Sequence, residues 1–284
     1  MVSASRAGPH APDSAARPEQ QRGTAQRRSN NGRLYGLPRP APVRSGGGNG
    51  GSGARSPHSK KIGSREPVIT IDGPAGAGKG TVARRLAAKL GYRLLDTGAM
   101  YRALAWSIAR AGLAPDDTPA LRRHVERVQI DLEGDRVIVD ERDVTDDIRS
   151  PEIAALTSRL SMLGVVRDKL TPIQRRLAAT GGVVLEGRDT GTVVCPEAEV
   201  KFYLDASLAE RARRRQTELR ARGVELEPEA ARRDIAARDA QDSSRALAPL
   251  RKAEDAVEVD STGLSVDQVV AIMAETVERR RRCG

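Results

Sequence analysis

Residues 68–81 read VITIDGPAGAGKGT, an apolar run followed by a glycine-rich segment that ends in Gly-Lys-Gly-Thr. The β-branched run 68–72 predicts a buried strand, and residues 81–90 have the periodicity of a helix. A glycine-rich turn between a strand and a helix turns its backbone N–H groups toward a phosphate, and a lysine adds positive charge beside the β- and γ-phosphates. The sequence therefore predicts an ATP-binding phosphate loop. Its members are Gly73, Pro74, Ala75, Gly76, Ala77, Gly78, Lys79, Gly80 and Thr81.

This loop departs from the strict GxxxxGK[ST] pattern at one position. Gly80 stands where a hydroxyl is expected, and Thr81 follows one residue later. The ending GKGT is typical of nucleoside monophosphate kinases, and it leaves open whether the Thr81 hydroxyl contacts Mg²⁺ directly. We therefore assign no residue as a metal ligand.

Beyond the loop, short apolar runs alternate with helical segments. We expect strands at 92–96, 183–186, 201–205 and 257–260, and helices at 99–112, 207–222 and 265–282. This alternation predicts an α/β protein of the P-loop NTPase class, with a doubly wound, parallel five-stranded sheet and helices on both faces. Two alternating apolar runs, 128–132 and 136–140, flank a turn at Gly134 and predict an inserted β-hairpin.

Two polar clusters follow predicted strands, at the sheet edge where ligands of open α/β sheets bind. The first is DTGAMYR, residues 96–102, in which Arg102 offers a guanidinium fork that suits a phosphate. The second is EGRDTGT, residues 186–192. Taken alone, the first cluster also fits an ordinary strand–helix junction, and the second fits a structural ion pair. Two such clusters at one edge favour a binding site.

The predicted helix 207–222 is strongly basic, with Arg211, Arg214 and Arg215 on one face. A solvated charged surface is the usual alternative for such a run. Phosphoryl transfer, however, requires positive charge around the oxygens of the transferring group. The basic face therefore also fits a position beside the phosphates of ATP.

The formal net charge of +10 belongs to the N-terminal segment. Residues 1–65 contain 12 Lys/Arg and 2 Asp/Glu, which leaves 36 of each kind for the remainder. Because this segment is rich in Gly, Pro, Ser, Arg and Gln, we predict a disordered basic tail. It is interpreted as a spacer or an over-extended start; contact with nucleic acid or a membrane is the alternative, and a transit peptide is less favoured. The domain itself gives no reason to expect nucleic-acid binding.

Other features argue against several classes of protein. No run of 18 apolar residues indicates a membrane-spanning helix, and no apolar N-terminal region indicates a secretory signal. Cys195 and Cys283 do not form a disulfide framework or a metal-binding spacing. We therefore expect a reducing, cytoplasmic location and no membrane partner.

Together, the strings IDGPAGAGKGT, LLDTGAMYR, EGRDTGTVV and RALAPL resemble the bacterial type of cytidylate kinase. The resemblance covers about residues 67–280, and the second and third strings distinguish this family from adenylate and thymidylate kinases. The hairpin also fits, because these enzymes have an enlarged insert that binds the monophosphate. The resemblance implies a domain at 66–284 with an insert at about 115–180, a helical lid at about 211–245 and a monomeric state.

The resemblance also implies roles for individual residues. Thr97, Tyr101 and Arg102 are expected in the CMP site, with Arg188 on the acceptor phosphate and Asp189 on the sugar hydroxyls. Ser158 and Arg167 match the positions that read cytosine, although an exposed helix residue is the alternative for each. Arg238, Asp242 and Arg245 match a late group around the acceptor, and Arg211 and Arg214 match lid residues that contact ATP. The family often has a basic residue where Gln241 stands.

The expected reaction is ATP + CMP (or dCMP) → ADP + CDP (or dCDP), with Mg²⁺. Lys79, Arg214 and Arg245 are expected to neutralise the transferring group, and Arg188 and Asp189 complete the catalytic set. No general base is needed, because the acceptor phosphate is already anionic. A P-loop kinase for UMP, dTMP, AMP or shikimate is the main alternative. A GTPase or nucleotide-dependent regulator is less favoured, because no guanine-reading Asn/Thr-Lys-x-Asp string occurs.

Overall fold

The computed structural model describes residues 65–221 and 223–283, without the side chain of Cys283. The expectation of a disordered tail therefore falls on residues that lie outside this description, with one exception. Arg65, which was placed in the tail, donates to the carbonyl oxygen of Ala179 at 2.7 Å and pairs with Glu199 at 3.0 Å. These two contacts attach Arg65 to the folded domain.

The described residues form eight strands and eight α-helices. The strands are β1 (Val68–Asp72), β2 (Arg93–Asp96), β3 (Ile130–Glu133), β4 (Arg136–Val139), β5 (Arg142–Asp143), β6 (Val183–Glu186), β7 (Val200–Asp205) and β8 (Val257–Asp260). The helices are α1 (Lys79–Leu90), α2 (Thr97–Arg110), α3 (Pro119–Arg127), α4 (Pro151–Leu160), α5 (Gly164–Ala178), α6 (Leu208–Arg220), α7 (Pro228–Ser244) and α8 (Val266–Cys283).

The predicted five-stranded parallel sheet is confirmed. Its strands lie in the order β2-β6-β1-β7-β8, and every neighbouring pair is parallel. Because the strands are parallel, their carboxyl ends meet at one edge. There Asp96 and Glu186 are register partners on β2 and β6, and Asp72 ends the adjacent β1. The two polar clusters of the sequence therefore adjoin the phosphate loop.

Helices cover both faces of this sheet and bury two apolar cores. Helices α1 and α8 pack on one face, where the chain's single phenylalanine, Phe202, is fully buried. Helices α2 and α5 cover the other face. Alternate residues of β1 serve the two cores, Ile69 and Ile71 on the first face and Val68 on the second. This division fixes the register of the strand that carries the phosphate loop.

The predicted hairpin is also confirmed, with Ile130 opposite Val139 and Leu132 opposite Val137. The two-residue strand β5 adds a third strand that the sequence did not predict. Val137 and Val139 are buried in the same core as Leu104 of α2. The insert therefore shares its apolar core with the main domain.

Helices α6 and α7 pack against each other in the region predicted as the lid. Arg211 of α6 pairs with Asp239 of α7, and Arg215 lies 3.9 Å from Asp234. These ion pairs place the arginine-bearing face of α6 against α7 and the phosphate loop rather than in solvent.

Candidate functional site

The phosphate loop joins the end of β1 to the start of α1. Gly73 has φ 148°, and a Cβ there would lie 2.0 Å from the carbonyl oxygen of Leu204, so only glycine fits. Gly78 precedes α1 in a left-handed conformation, and no side chain caps the helix. Its first backbone N–H groups are therefore available to an anion, and the helix dipole favours negative charge at this point.

Lys79 is buried at the start of α1, and its ammonium group donates to the carbonyl oxygen of Pro74 at 2.8 Å. Burial, together with the positive charge of Arg188, lowers the pKa of Lys79 to about 7. An anionic phosphate would counter both effects. The side chain is thus held where a phosphate is needed to stabilise its charge.

Two arginines of α6 hold the loop from outside. The guanidinium of Arg211 donates to the carbonyl oxygen of Ala75 at 3.1 Å. That of Arg214 donates to the carbonyl oxygen of Ala77 at 3.0 Å and is also bonded to Ser261. Together with the bond from the Ala75 N–H to Asp239 at 3.0 Å, these contacts fix the conformation of the loop from the side of α6 and α7.

Two carboxyl groups share the sheet edge beside the loop. Glu186 and Asp96 lie on neighbouring strands, and burial together with the negative charge of Asp96 raises the pKa of Glu186 to about 7. Asp96 remains the ionised partner, because Arg102 pairs with it at 3.0 Å. Glu186 also lies near Gly80, where a Cβ would stand 4.0 Å from its Oε1 atom. The Glu186 carboxyl group therefore lies close to position 80, where the GxxxxGK[ST] pattern has a hydroxyl group and this chain has glycine.

Further ion pairs line the opposite side. Arg188 donates through Nε to Asp242 at 2.9 Å, and Arg167 pairs with Asp189, with both members of the second pair buried. The guanidinium of Arg167 also lies 5.9 Å from the centre of the Tyr101 ring. Each guanidinium is thereby held in a fixed direction by a carboxylate or an aromatic ring.

The half-buried Arg238 and the buried Arg245 each keep one buried donor atom without a hydrogen-bond partner among the described residues. These donors are Nε of Arg238 and Nη2 of Arg245. Burial, together with nearby positive charges of which Arg188 is the first, lowers the pKa of Arg238 to about 10. Buried guanidiniums with unused donors require an anion, and a phosphate supplies one.

Three remaining predicted residues have defined contacts. Thr97 donates its hydroxyl to the carbonyl oxygen of Glu186 at 2.7 Å and so ties β2 to β6. Burial raises the pKa of Tyr101 to about 12 and keeps its phenol protonated. Ser158 donates to the side-chain oxygen of Gln241 at 2.9 Å.

Most of the side chains described above line one cleft of about 870 Å³. Most of the predicted site residues line it, namely Ala75, Gly76, Ala77, Gly78, Lys79, Gly80, Thr81, Thr97, Tyr101, Arg102, Ser158, Arg167, Arg188, Asp189, Arg214, Arg238, Asp242 and Arg245. Gly73, Pro74 and Arg211 do not. Arg211 was expected to contact ATP, but its guanidinium lies behind the loop, bonded to Ala75, Ala206 and Asp239.

Three residues at the site had no individual role in the predictions made from the sequence. Glu186 and Arg215 line the cleft, and Asp72 lies beneath the loop that carries Arg188 and Asp189. The two acids, Asp72 in the string IDG and Glu186 in EGRD, each end a predicted strand, and this position could have indicated that they lie at the ligand-binding edge of the sheet. Nothing in the sequence indicated which groups they contact.

Asp72 is buried at the end of β1 and accepts three hydrogen bonds. They come from the backbone N–H and hydroxyl of Thr190, each at 2.8 Å, and from the N–H of Gly191 at 2.7 Å. Burial raises the pKa of Asp72, although these bonds act in the opposite direction. The carboxylate fixes the turn that directly follows Arg188 and Asp189.

In the described part of the chain, no cluster of three or more His, Cys, Asp or Glu side chains could hold a metal ion, and no helix is long and apolar enough to cross a membrane.

Comparisons with known proteins agree on one family. The family model described as "Cytidylate kinase" matches residues 69–279. A curated cytidylate kinase of Geobacter sulfurreducens is 49% identical over 224 residues, which cover 78% of this chain and 96% of the relative. Another, from Carboxydothermus hydrogenoformans, is 49% identical over 216 residues, which cover 75% of this chain and 97% of the relative. A third, from Syntrophotalea carbinolica, is 46% identical and covers 77% and 94%.

Proposed function

The chain belongs to the cytidylate kinase family, and we propose how its cleft carries out the transfer of a phosphoryl group from ATP to CMP and dCMP. The enzyme is a nucleoside monophosphate kinase with ATP as the donor. The observation that carries the proposal is a group of cations that line the same cleft, namely the buried Lys79 and the half-buried Arg188 and Arg238.

At the donor side, the loop from Gly73 to Thr81 holds the β- and γ-phosphates through its backbone N–H groups, and Lys79 neutralises the transferring phosphoryl group. Arg214 lines the cleft while it holds Ala77, and Arg215 adds charge beside it. Arg211 acts as a positioning residue for the loop, since its guanidinium bonds Ala75 from behind.

At the acceptor side, Arg102, Arg188 and Arg238 bind the phosphate of the monophosphate. Asp96 and Asp242 orient the first two of these guanidiniums through ion pairs. Fixing the acceptor oxygen in line with the γ-phosphate supplies much of the rate enhancement, because it replaces a bimolecular encounter. The acceptor is an anionic phosphate near pH 7, so the reaction needs no general base.

The pyrimidine ring and its sugar occupy the far end of the cleft. Ser158 and the Arg167–Asp189 pair supply the polar groups for the cytosine side, with Tyr101 beside them. Asp242 and Asp189 are the carboxylates available to the sugar hydroxyls. Arg245 was expected both on the transferring group and in the group around the acceptor, and its bond to Ser161 at 3.3 Å and its position near Asp242 favour the second role. We therefore assign Arg245 to this acceptor end.

The residues present fit a magnesium ion that accompanies ATP. Mg²⁺ in kinase sites is held by one or two carboxylates together with substrate phosphates and water, and such a site does not require a cluster of three acidic side chains. Asp96, Glu186 and the hydroxyl of Thr81 are the oxygen groups that line the cleft beside the loop. When bound, the ion would offset negative charge on the phosphates.

The insert at about 115–180 and the helices α6 and α7 close on the substrates in this proposal. Closure would exclude water, which otherwise competes with CMP for the phosphoryl group. We further propose a monomeric, cytoplasmic enzyme. Size-exclusion chromatography with light scattering tests the monomeric state, since a stable dimer would double the measured mass.

An acceptor panel tests the proposed function directly. The full chain is assayed with ATP and Mg²⁺ against CMP, dCMP, UMP, dTMP, AMP and shikimate, with ADP formation measured by a coupled assay. We expect CMP and dCMP to have the highest kcat/KM. Robust turnover of another acceptor with none of CMP would overturn the proposal. The Lys79→Ala variant, prepared in the same way, controls for contaminating kinases.

A further inference from the structure

We propose that Gln241 makes the Ser158 hydroxyl a hydrogen-bond acceptor toward the base, and that this polarity selects a pyrimidine with an amino group over one with a carbonyl group at the same position. The inference rests on the proposed function, in which Ser158 faces the base. It gives a positioning role to a residue that lies outside the cleft lining.

The two side chains meet from distant parts of the chain. Ser158 lies on α4 and lines the cleft, whereas Gln241 lies on α7, behind it. The distance from Ser158 Oγ to Gln241 Oε1 is 2.9 Å. Gln241 therefore contacts the Ser158 hydroxyl without itself lining the cleft.

The partners of the Gln241 amide fix its orientation. Its nitrogen lies 3.4 Å from the carbonyl oxygen of Ser158 and 3.6 Å from the sulfur of Met162, and both of these atoms accept hydrogen bonds. The amide oxygen must therefore face the Ser158 hydroxyl. Since that oxygen only accepts, Ser158 gives it its single proton.

With its proton engaged, Ser158 presents only lone pairs to the cleft. Cytosine carries an amino donor at the position where uracil carries a carbonyl acceptor. A free hydroxyl rotates to suit either group, but a hydroxyl whose proton is held by Gln241 suits only the donor. Gln241 thus converts an adaptable group into a selective one.

A second serine stabilises this arrangement. The hydroxyl of Ser161 donates to the backbone carbonyl of Ser158 at 2.8 Å and receives a bond from Arg245 at 3.3 Å. The end of α4 is therefore attached to the end of α7 through both Gln241 and Arg245. This connection keeps the side chains of Ser158 and Gln241 within hydrogen-bonding distance.

The test compares kcat/KM for CMP and UMP, at saturating ATP, in variants of the full chain. In Gln241→Leu we expect the CMP-to-UMP ratio to fall about tenfold, because the hydroxyl becomes free to donate to uracil. The effect should appear in KM for the acceptors, while KM for ATP is unchanged. Gln241→Lys, which can only donate, should lower the ratio similarly.

Two further variants distinguish a change in hydrogen-bond polarity at Ser158 from a general loosening of the helices. Gln241→Glu keeps an accepting oxygen, so the ratio should stay within about twofold of the wild type. Gln216→Leu is the matched control, since Gln216 on α6 bonds the carbonyl oxygen of Leu226 at 2.8 Å and does not line the cleft. Its ratio should equal that of the wild type. Thermal unfolding of each variant confirms that it is folded.

Ser158→Ala distinguishes the possible failures. If it lowers the ratio while Gln241→Leu and Gln241→Lys do not, the inference is wrong and the base-facing role of Ser158 stands. If Ser158→Ala also leaves the ratio unchanged, both the inference and that role are rejected. A wild type that does not phosphorylate CMP would reject the proposed function itself.

Discussion

The two ends of the cleft are built in different ways. The donor end is centred on one contiguous stretch, residues 73–81, whose backbone N–H groups and lysine are joined by Arg214 and Arg215 of α6. The acceptor end combines side chains from α2, α4, α5, α7 and the turn after β6. Its guanidiniums are held by carboxylates, as in the pairs of Arg188 with Asp242 and of Arg167 with Asp189.

This difference shows how each end obtains its geometry. Backbone dihedral angles fix the donor end, so a local sequence pattern encodes it. Ion pairs between elements that are far apart in the sequence fix the acceptor end, so tertiary structure must form first. We therefore expect changes at the donor end to act on chemistry, and changes at the acceptor end to act on the choice and binding of the acceptor.

Lys79→Ala should have the largest effect. Without the ammonium group, we expect kcat to fall by about a thousandfold, because the charge of the transferring group is no longer neutralised. The melting temperature should not fall, since burial lowers the pKa of Lys79 and the charged form is unfavourable in the free fold. Steady-state kinetics and thermal unfolding measure the two effects.

Lys89→Ala, at the far end of α1, is the matched control and should retain wild-type kinetics. Wild-type rates in Lys79→Ala would remove the donor loop from the mechanism. A large loss of stability would instead mean that the ammonium group mainly supports the fold.

Arg188→Ala should separate the two ends. We expect kcat/KM for CMP to fall about a hundredfold, because truncation removes a phosphate-binding guanidinium and leaves the buried Asp242 with the longer 3.9 Å contact to Arg245. KM for ATP should change little. Arg142→Ala, which removes an exposed arginine stacked on Trp106, is the control. Equal losses for ATP and CMP would show that the two ends are not independent.

Asp72→Ala tests whether neighbouring residues of the chain can serve opposite ends. Asp72 directly precedes the phosphate loop, but its carboxylate holds Thr190 and Gly191 in the acceptor-side turn. Orphaning these buried donors should lower the free energy of unfolding by about 2 kcal/mol. At temperatures where the variant is folded, KM should rise for CMP more than for ATP.

Asp260→Ala, at the exposed end of β8, is the control for Asp72→Ala and should cost less than about 1 kcal/mol in chemical denaturation. If Asp72→Ala raised KM for ATP alone, its carboxylate would belong to the donor end after all.

The sequence predicted the parts of the molecule that depend on local patterns. The five parallel strands and the hairpin follow from alternating and β-branched runs, and the phosphate loop follows from glycines placed between a strand and a helix. The strand Arg142–Asp143 was missed because two charged residues carry no periodicity. The contacts of Arg211 and Arg245 could not be predicted, because a guanidinium can reach carbonyl, carboxylate or phosphate oxygens and its sequence position does not say which.

The smallest expected effect is a proton taken up at the donor end when ATP binds. With a pKa of about 7, Lys79 is mostly neutral at pH 8, and the phosphates of ATP should raise this pKa and restore the charge. We expect uptake of most of a proton at pH 8 and much less at pH 6 from this residue. Calorimetric titrations in buffers of different ionisation enthalpy measure the number.

In titrations without Mg²⁺, the raised pKa of Glu186, also about 7, adds a second contribution of the same sign, since nearby phosphates disfavour its ionised form as well. The difference between the wild type and Lys79→Ala isolates the lysine, and Glu186→Gln isolates the acid. CMP should cause much less uptake at pH 8, because arginines, which stay protonated, surround its phosphate. Equal proton uptake with ATP and with CMP would mean that both phosphates change the charge of Lys79, and that the two ends share one electrostatic site.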